Sequence, residues 1–270
     1  MRRLNLAGRQ ATPRRYRHVR RFGRVCASAL LLASLLSAAQ ANVVLDTTRV
    51  IYSADDNSVV VGVGNKGERP ALIQSWVDAG DVRTTPENSE APFVVLPPIA
   101  RIDSGASQAL RLRFTGAPDS VPADAESVYW LNVLDVPPAV DENSPARGQN
   151  YLQFAVRSRI KLFYRPKGLS GNPNTAPDRL RWYVETARDG GAVLVVDNPT
   201  AYHVTLTRVA IGENGIDQEP SSTMLAPGAR FRWPLETDPA RVSDQVVHLT
   251  AIDDFGASRR FTTPITSVDP

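Results

Sequence analysis

The chain has 270 residues, three histidines, one cysteine and a formal charge of +3. Nine arginines and no acids fall in the first 41 residues; without them the charge drops from +3 to −6, which removes any electrostatic case for a nucleic-acid partner. The cysteine, Cys26, lies in the same stretch, so residues 42–270 fold without a disulfide, and their two histidines are too few for a histidine-rich metal site.

The chain opens on a basic region ending at Arg24, followed by an apolar run from Ala27 to Leu36 and by Ser37-Ala38-Ala39-Gln40-Ala41. These are the three regions of a secretory signal, with cleavage after Ala41 and a mature start at Asn42. The apolar run is much shorter than the ~20 residues a bilayer span needs, so no stable membrane insertion is expected. Cys26 precedes the run instead of following it, which argues against a lipid anchor. The basic region is long enough to leave the start codon open. Arg20-Arg21 is expected by chance in so basic a stretch, so the general export route is read here over a twin-arginine one.

From Asn42 the sequence breaks into short alternating or β-branched runs. Val43–Val50, Ser58–Val63, Ala71–Val77, Ala109–Phe114, Ser127–Val133 and Tyr151–Tyr164 come first. Leu180–Thr186, Ala192–Val196, Val204–Ile211, Arg230–Trp233 and Gln245–Ile252 follow. Turn residues such as Asn65-Lys66-Gly67, Asp103-Ser104-Gly105 and Pro227-Gly228 separate them, and no segment sustains a helical period. This spacing predicts an all-β sandwich or barrel. Residues 166–177 hold three prolines and two glycines and read as a linker between domains at 42–165 and 178–270.

The run Tyr151–Tyr164 is long for a strand. Leu152, Phe154, Val156, Ser158, Ile160, Leu162 and Tyr164 fall on one face; Arg157, Arg159 and Lys161 fall on the other. Periodicity alone allows two readings, a central strand whose apolar face is all core, or an edge strand whose first half offers itself to another chain. An exposed apolar edge invites aggregation, so it is kept only where pairing is the work.

The segment Asn150–Pro166 resembles the signature strand of the pilus-assembly periplasmic chaperones of the chaperone–usher pathway. Leu45–Tyr52 looks like that family's first strand, Leu96–Ile102 its proline-pair segment, and Pro122–Val133 the strand before its variable loop. Asp197–Thr200, Met224–Gly228 and Ile252–Gly256 are similar to motifs of its second half, so the resemblance covers nearly all of residues 42–270.

The resemblance implies two immunoglobulin-like domains set at an angle, with a crevice between them. It implies partners as well: pilus or fimbrial subunits, which have an incomplete sandwich, and an outer-membrane usher. Leu152, Phe154 and Val156 match the donor strand that fills a subunit's groove by strand addition. Arg49 and Lys161 match the pair that binds the subunit's C-terminal carboxylate, a planar fork of donors beside a compact ammonium. Glu126, Arg165 and Asp254 match an interdomain charge cluster that sets the angle between domains. A periplasmic location, no cofactor and no catalytic residue are implied. An open apolar edge also allows weak self-association of the free chain.

Two other classes compete with this one. An enzyme finds no support in a Gly-x-Ser-x-Gly, a phosphate-cradling glycine loop or a zinc spacing, and His203 reads as surface or packing. A secreted structural or adhesive immunoglobulin-like module explains the fold but not the motifs around Arg49 and Lys161. The polar loop Asp141–Gln149 has intermediate length and no cysteine pair, which leaves the chaperone subclass open. Whether Pro97 or Pro98 follows a cis bond is equally open.

Overall fold

A computed structural model describes residues 42–136, 154–188, 190–212, 216–218, 223–235, 237, 239–242 and 245–266. The signal segment, Leu152 and the loop Asp141–Gln149 lie outside these. The first nine strands are β1 (Val43–Leu45), β2 (Arg49–Ser53), β3 (Val59–Asn65), β4 (Ala71–Asp78), β5 (Phe93–Leu96), β6 (Ile99–Ile102), β7 (Ser107–Phe114), β8 (Ser127–Val136) and β9 (Val156–Arg165). They form two sheets in the orders β1-β3-β7-β5 and β2-β9-β8-β4-β6. Alternation supplies the core between them. Val61 and Val63 from one sheet and Ile73, Leu131 and Leu162 from the other are all but completely buried.

The second sandwich holds β10 (Arg181–Thr186), β11 (Ala192–Asp197), β12 (Val204–Ile211), β13 (Ile216–Gln218), β14 (Thr223–Leu225), β15 (Arg230–Leu235), β16 (Val246–Ile252) and β17 (Ser258–Pro264). Its sheets run β10-β11-β15 and β13-β12-β16-β17, with β14 also on β12. Trp182 is fully buried at the centre and stacks on Trp233 at 5.9 Å. The segment read as a linker ends in a 3-10 turn, Pro173–Arg179, whose Ala176 and Pro177 are buried. Both sandwiches are immunoglobulin-like, and their described residues pack as one unit.

One difference from the sequence reading bears on function. The expected first strand, Val43–Val50, is two strands on different sheets: β1 pairs antiparallel with β3, and β2 pairs parallel with β9. The crossing is made by local polar bonds that compete with a continuous ladder. The Asp46 carboxylate accepts from the Gly62 amide at 3.0 Å, and the Thr47 hydroxyl donates to the Arg49 carbonyl at 2.6 Å. A Cβ at position 62 would lie 2.4 Å from the Asp46 carboxylate, so a larger residue there would displace that side chain from the Gly62 amide. Among the described residues the long strand begins at Val156, after Phe154 and Ala155, where β8 ends its pairing at Asp135↔Val156; the expected start at Tyr151 lies outside the described residues. The Leu96–Pro97 bond is cis.

Candidate functional site

Arg49 opens β2, and the parallel ladder makes Lys161 of β9 its register partner. Since Ile160 and Leu162 turn into the core, Lys161 leaves by the opposite face, toward the second sandwich. There its ammonium lies 3.2 Å from the Thr205 hydroxyl, and Arg49 donates to the Ile252 carbonyl at 3.5 Å. Thr205 and Ile252 are themselves partners across the β12–β16 ladder, beside the irregularity between Leu206 and Arg208. One rung of cations therefore faces one rung of neutral acceptors.

That environment is poor in acid. Burial, and then the charge of Arg49, hold the Lys161 ammonium below the usual lysine range. Burial also lowers Arg49, against the more distant pull of Asp254, Asp253 and Glu126. Among the described residues neither cation has an acid within salt-bridge distance, and Arg49 Nε is buried without a hydrogen-bond partner. A carboxylate is what these donors can receive.

The strand that carries Lys161 has two unlike halves. Residues 161–164 lie between β2 and β8, and Arg165 pairs with β2. Val156–Ile160 pair with β8 alone among the described residues, because the chain that becomes β2 has crossed from the other sheet only at residue 49. Among the described residues, the backbone of this half is open on one side. Phe154 is 73% exposed and Val156 49%, while Ile160 packs against the core and Leu162 and Tyr164 lie in it. Of the three donor-strand residues expected from sequence, Phe154 and Val156 fall on this exposed stretch; Phe154 precedes the strand itself.

Glu126, Arg165 and Asp254 come together. Arg165 donates Nε to Glu126 and its two terminal nitrogens to the two Asp254 oxygens, all at 2.7 Å. Burial opposes the charge on Arg165, but its bonds to Asp254 and Glu126 outweigh that and hold the guanidinium above its ordinary range. The other Glu126 oxygen takes the His203 amide and faces His203 Nδ1, both at 2.9 Å. Asp253 does not join. Its carboxylate accepts the amides of Phe255 and Ala257, shaping the turn that aims Asp254 at Arg165. In that turn Gly256 has φ +84, and a Cβ on it would meet the Thr48 hydroxyl at 2.4 Å.

Several residues here escaped the sequence reading. Thr205 sits in an unremarkable β-branched run. His203 is buried against Glu126 and the Phe163 ring, so packing, and not surface, describes it. On the outer face of β9, Arg157 and Arg159 converge on Asp78, which is fully buried. The signal for this last group was present: three cations alternating on one strand face call for an acid on a neighbouring strand.

Residues 42–170 match the family of pili and flagellar-assembly chaperones, PapD N-terminal domain, and residues 175–263 match the pili assembly chaperone PapD C-terminal domain. The chain is 45% identical over 242 residues to the chaperone protein FimB/FhaD of Bordetella pertussis, covering 88% of this chain and 93% of that one. It is 41% identical over 222 residues to the probable fimbrial chaperone YadV of Escherichia coli, covering 82% and 89%. The crystal structure of the YadV chaperone superposes with a TM-score of 0.67 at 37% identity, over 83% of this chain and all of that one. The SafB chaperone of Salmonella enterica, solved in complex with the SafA pilin, gives 0.66 at 31%, over 85% and 99%. The chain belongs to the family of pilus-assembly chaperones, two immunoglobulin-like sandwiches in one polypeptide.

Proposed function

We propose that the open half of β9 is lent as a strand to a pilus subunit whose C-terminal carboxylate seats on Arg49 and Lys161. One observation carries this reading: among the described residues, an apolar strand with a free edge runs straight into two half-buried cations with no acid within salt-bridge distance. A carboxylate held by both gains charge-assisted hydrogen bonds of roughly 1.5–3 kcal/mol each. Its chain then continues the line of β2 along Val156–Ile160. With its C-terminus at Arg49, it runs in the same direction as β9, as β2 does. Phe154 and Val156, with Leu152 in the same alternation, fill the subunit's groove.

The rest of the reading follows from that role. Cleavage after Ala41 delivers a mature chain to the periplasm, with a subunit-binding domain at 42–165 and a second domain at 178–270 joined through 166–177. Glu126, Arg165 and Asp254 fix the angle between domains, so that Thr205 and Ile252 complete the seat. The subunit is surrendered to an outer-membrane usher, and no catalytic step is involved. The SafB chaperone seen with its pilin supports the subunit as partner.

The test is co-expression of the full chain in a periplasm with its neighbouring secreted genes, followed by affinity recovery. Wild type retains a small β-rich subunit; Lys161→Ala and Arg49→Ala, checked for folding by circular dichroism, lose it. Equal recovery by all three removes the carboxylate anchor.

A further inference from the structure

The open half of β9 poses a mechanical problem. A strand paired on one side only frays, and a slip of one residue turns its apolar face over. Residues 161–165 are held by β2 on the far side; among the described residues Val156–Ile160 are not. The outer face of this same stretch carries Arg157 and Arg159, two residues apart and therefore on one side of the strand.

Both reach across β8 to Asp78 at the end of β4. Arg159 donates to the two Asp78 oxygens at 2.6 and 3.0 Å, and Arg157 Nη2 reaches one of them at 3.4 Å. Asn132 on β8 stands between, giving its amide to Asp78 at 2.8 Å and taking Arg157 Nε at 2.8 Å. Arg157 also donates to the Val82 carbonyl at 2.6 Å. The two guanidiniums cover the rings of Trp76 and Trp130 at 4.7 and 4.1 Å. Burial works against the Asp78 charge, but the bonds from Arg159, Asn132 and Gly80 outweigh it and keep the carboxyl below its usual range.

We infer that Asp78 is a positioning residue for subunit capture: it pins the outer face of the open half of β9 and thereby fixes the face that Phe154 and Val156 present. A one-residue slip would point Arg157 and Arg159 at the core and strand a fully buried carboxylate without its partners. The clamp covers the stretch that β2 leaves unsupported. It lies on the face opposite the donor side chains, so it holds the strand without occupying the subunit's side.

The inference rests on the strand-lending reading, and the experiment separates the two. Wild type, Asp78→Asn and Lys161→Ala are compared for subunit recovery in periplasmic co-expression and for amide exchange by mass spectrometry. In Asp78→Asn, exchange of the Val156–Ile160 amides bonded to β8 rises about ten-fold, exchange in β3 and β7 stays as in wild type, and recovery falls about five-fold or more. Lys161→Ala loses the subunit with wild-type exchange in β9. Wild-type recovery by folded Asp78→Asn beside loss in Lys161→Ala overturns the positioning role and leaves the strand-lending reading standing. Wild-type recovery by Lys161→Ala counts against that reading instead. Should Asp78→Asn not accumulate as a folded chain, Arg159→Lys decides, because it keeps the charge and removes the two-pronged contact. Reduced recovery with loosened Val156–Ile160 supports the clamp, and full recovery overturns it.

Discussion

Two groups of charge join the same pair of sandwiches, within one strand's length of each other, and they are balanced in opposite ways. Arg165 meets two carboxylates, and three of its nitrogens are used at 2.7 Å. Arg49 and Lys161 meet a carbonyl and a hydroxyl at longer range and repel one another. The first arrangement is complete within the chain. The second is electrostatically unfinished, and a protein keeps two half-buried cations in that condition at some loss of stability. On the function proposed above, the closed cluster holds the junction and the open one receives the subunit's carboxylate.

The comparison can be broken at either cluster. The largest effect is expected from Arg165→Met. Glu126 is buried and would keep only its contacts with His203, so a loss of about 3–5 kcal/mol in chemical denaturation is expected. A loss below about 1 kcal/mol would mean the closed cluster does not hold the junction. Lys161→Met is expected to do the reverse. It relieves a half-buried cation, so the free chain keeps or gains stability, while subunit affinity falls roughly 10- to 150-fold with the loss of a charge-assisted contact. If the variant unfolds more easily and binds as well as wild type, the cation is structural and the contrast between the clusters fails.

The sequence carried the pattern of the second cluster better than its setting. Arg49 and Lys161 are visible because each falls in a long motif, and the alternation around Lys161 is plain. What no periodicity reveals is the crossing at residues 46–48, since Val43–Val50, with five β-branched residues in eight, reads as one strand. That crossing is a three-dimensional event, marked by the bond from the Gly62 amide to Asp46, and it decides which part of β9 can pair with β2. Asp78 was hidden for a related reason. Its partners sit some 80 positions further on, across an intervening strand, and only the register of β4, β8 and β9 brings them to one spot. The short strands β5 and β6 escaped because proline-rich segments punctuate more loudly than four-residue strands alternate.

Smaller effects sharpen the same contrast. Phe154→Ser removes an apolar contact that the free chain scarcely uses, its side chain being so exposed. Stability should change by less than about 0.5 kcal/mol and affinity by roughly ten-fold, read by calorimetry and competition binding. A loss of stability without a loss of affinity would return that segment to the core reading.

The subtlest test is alkaline. Lys161 in the free chain loses its proton below the usual lysine range, and a bound carboxylate stabilises the charged form. Affinity is therefore complete well below that pKa and declines as pH rises through it, earlier than an ordinary lysine at about 10.4 would dictate. Lys161→Arg stays protonated over the same range and should give a flat profile. Binding followed between about pH 8 and 10.5, with folding monitored by circular dichroism, separates the cases. A wild-type profile as flat as the arginine variant's would leave Arg49 as the whole anchor and reduce Lys161 to a bystander of the seat.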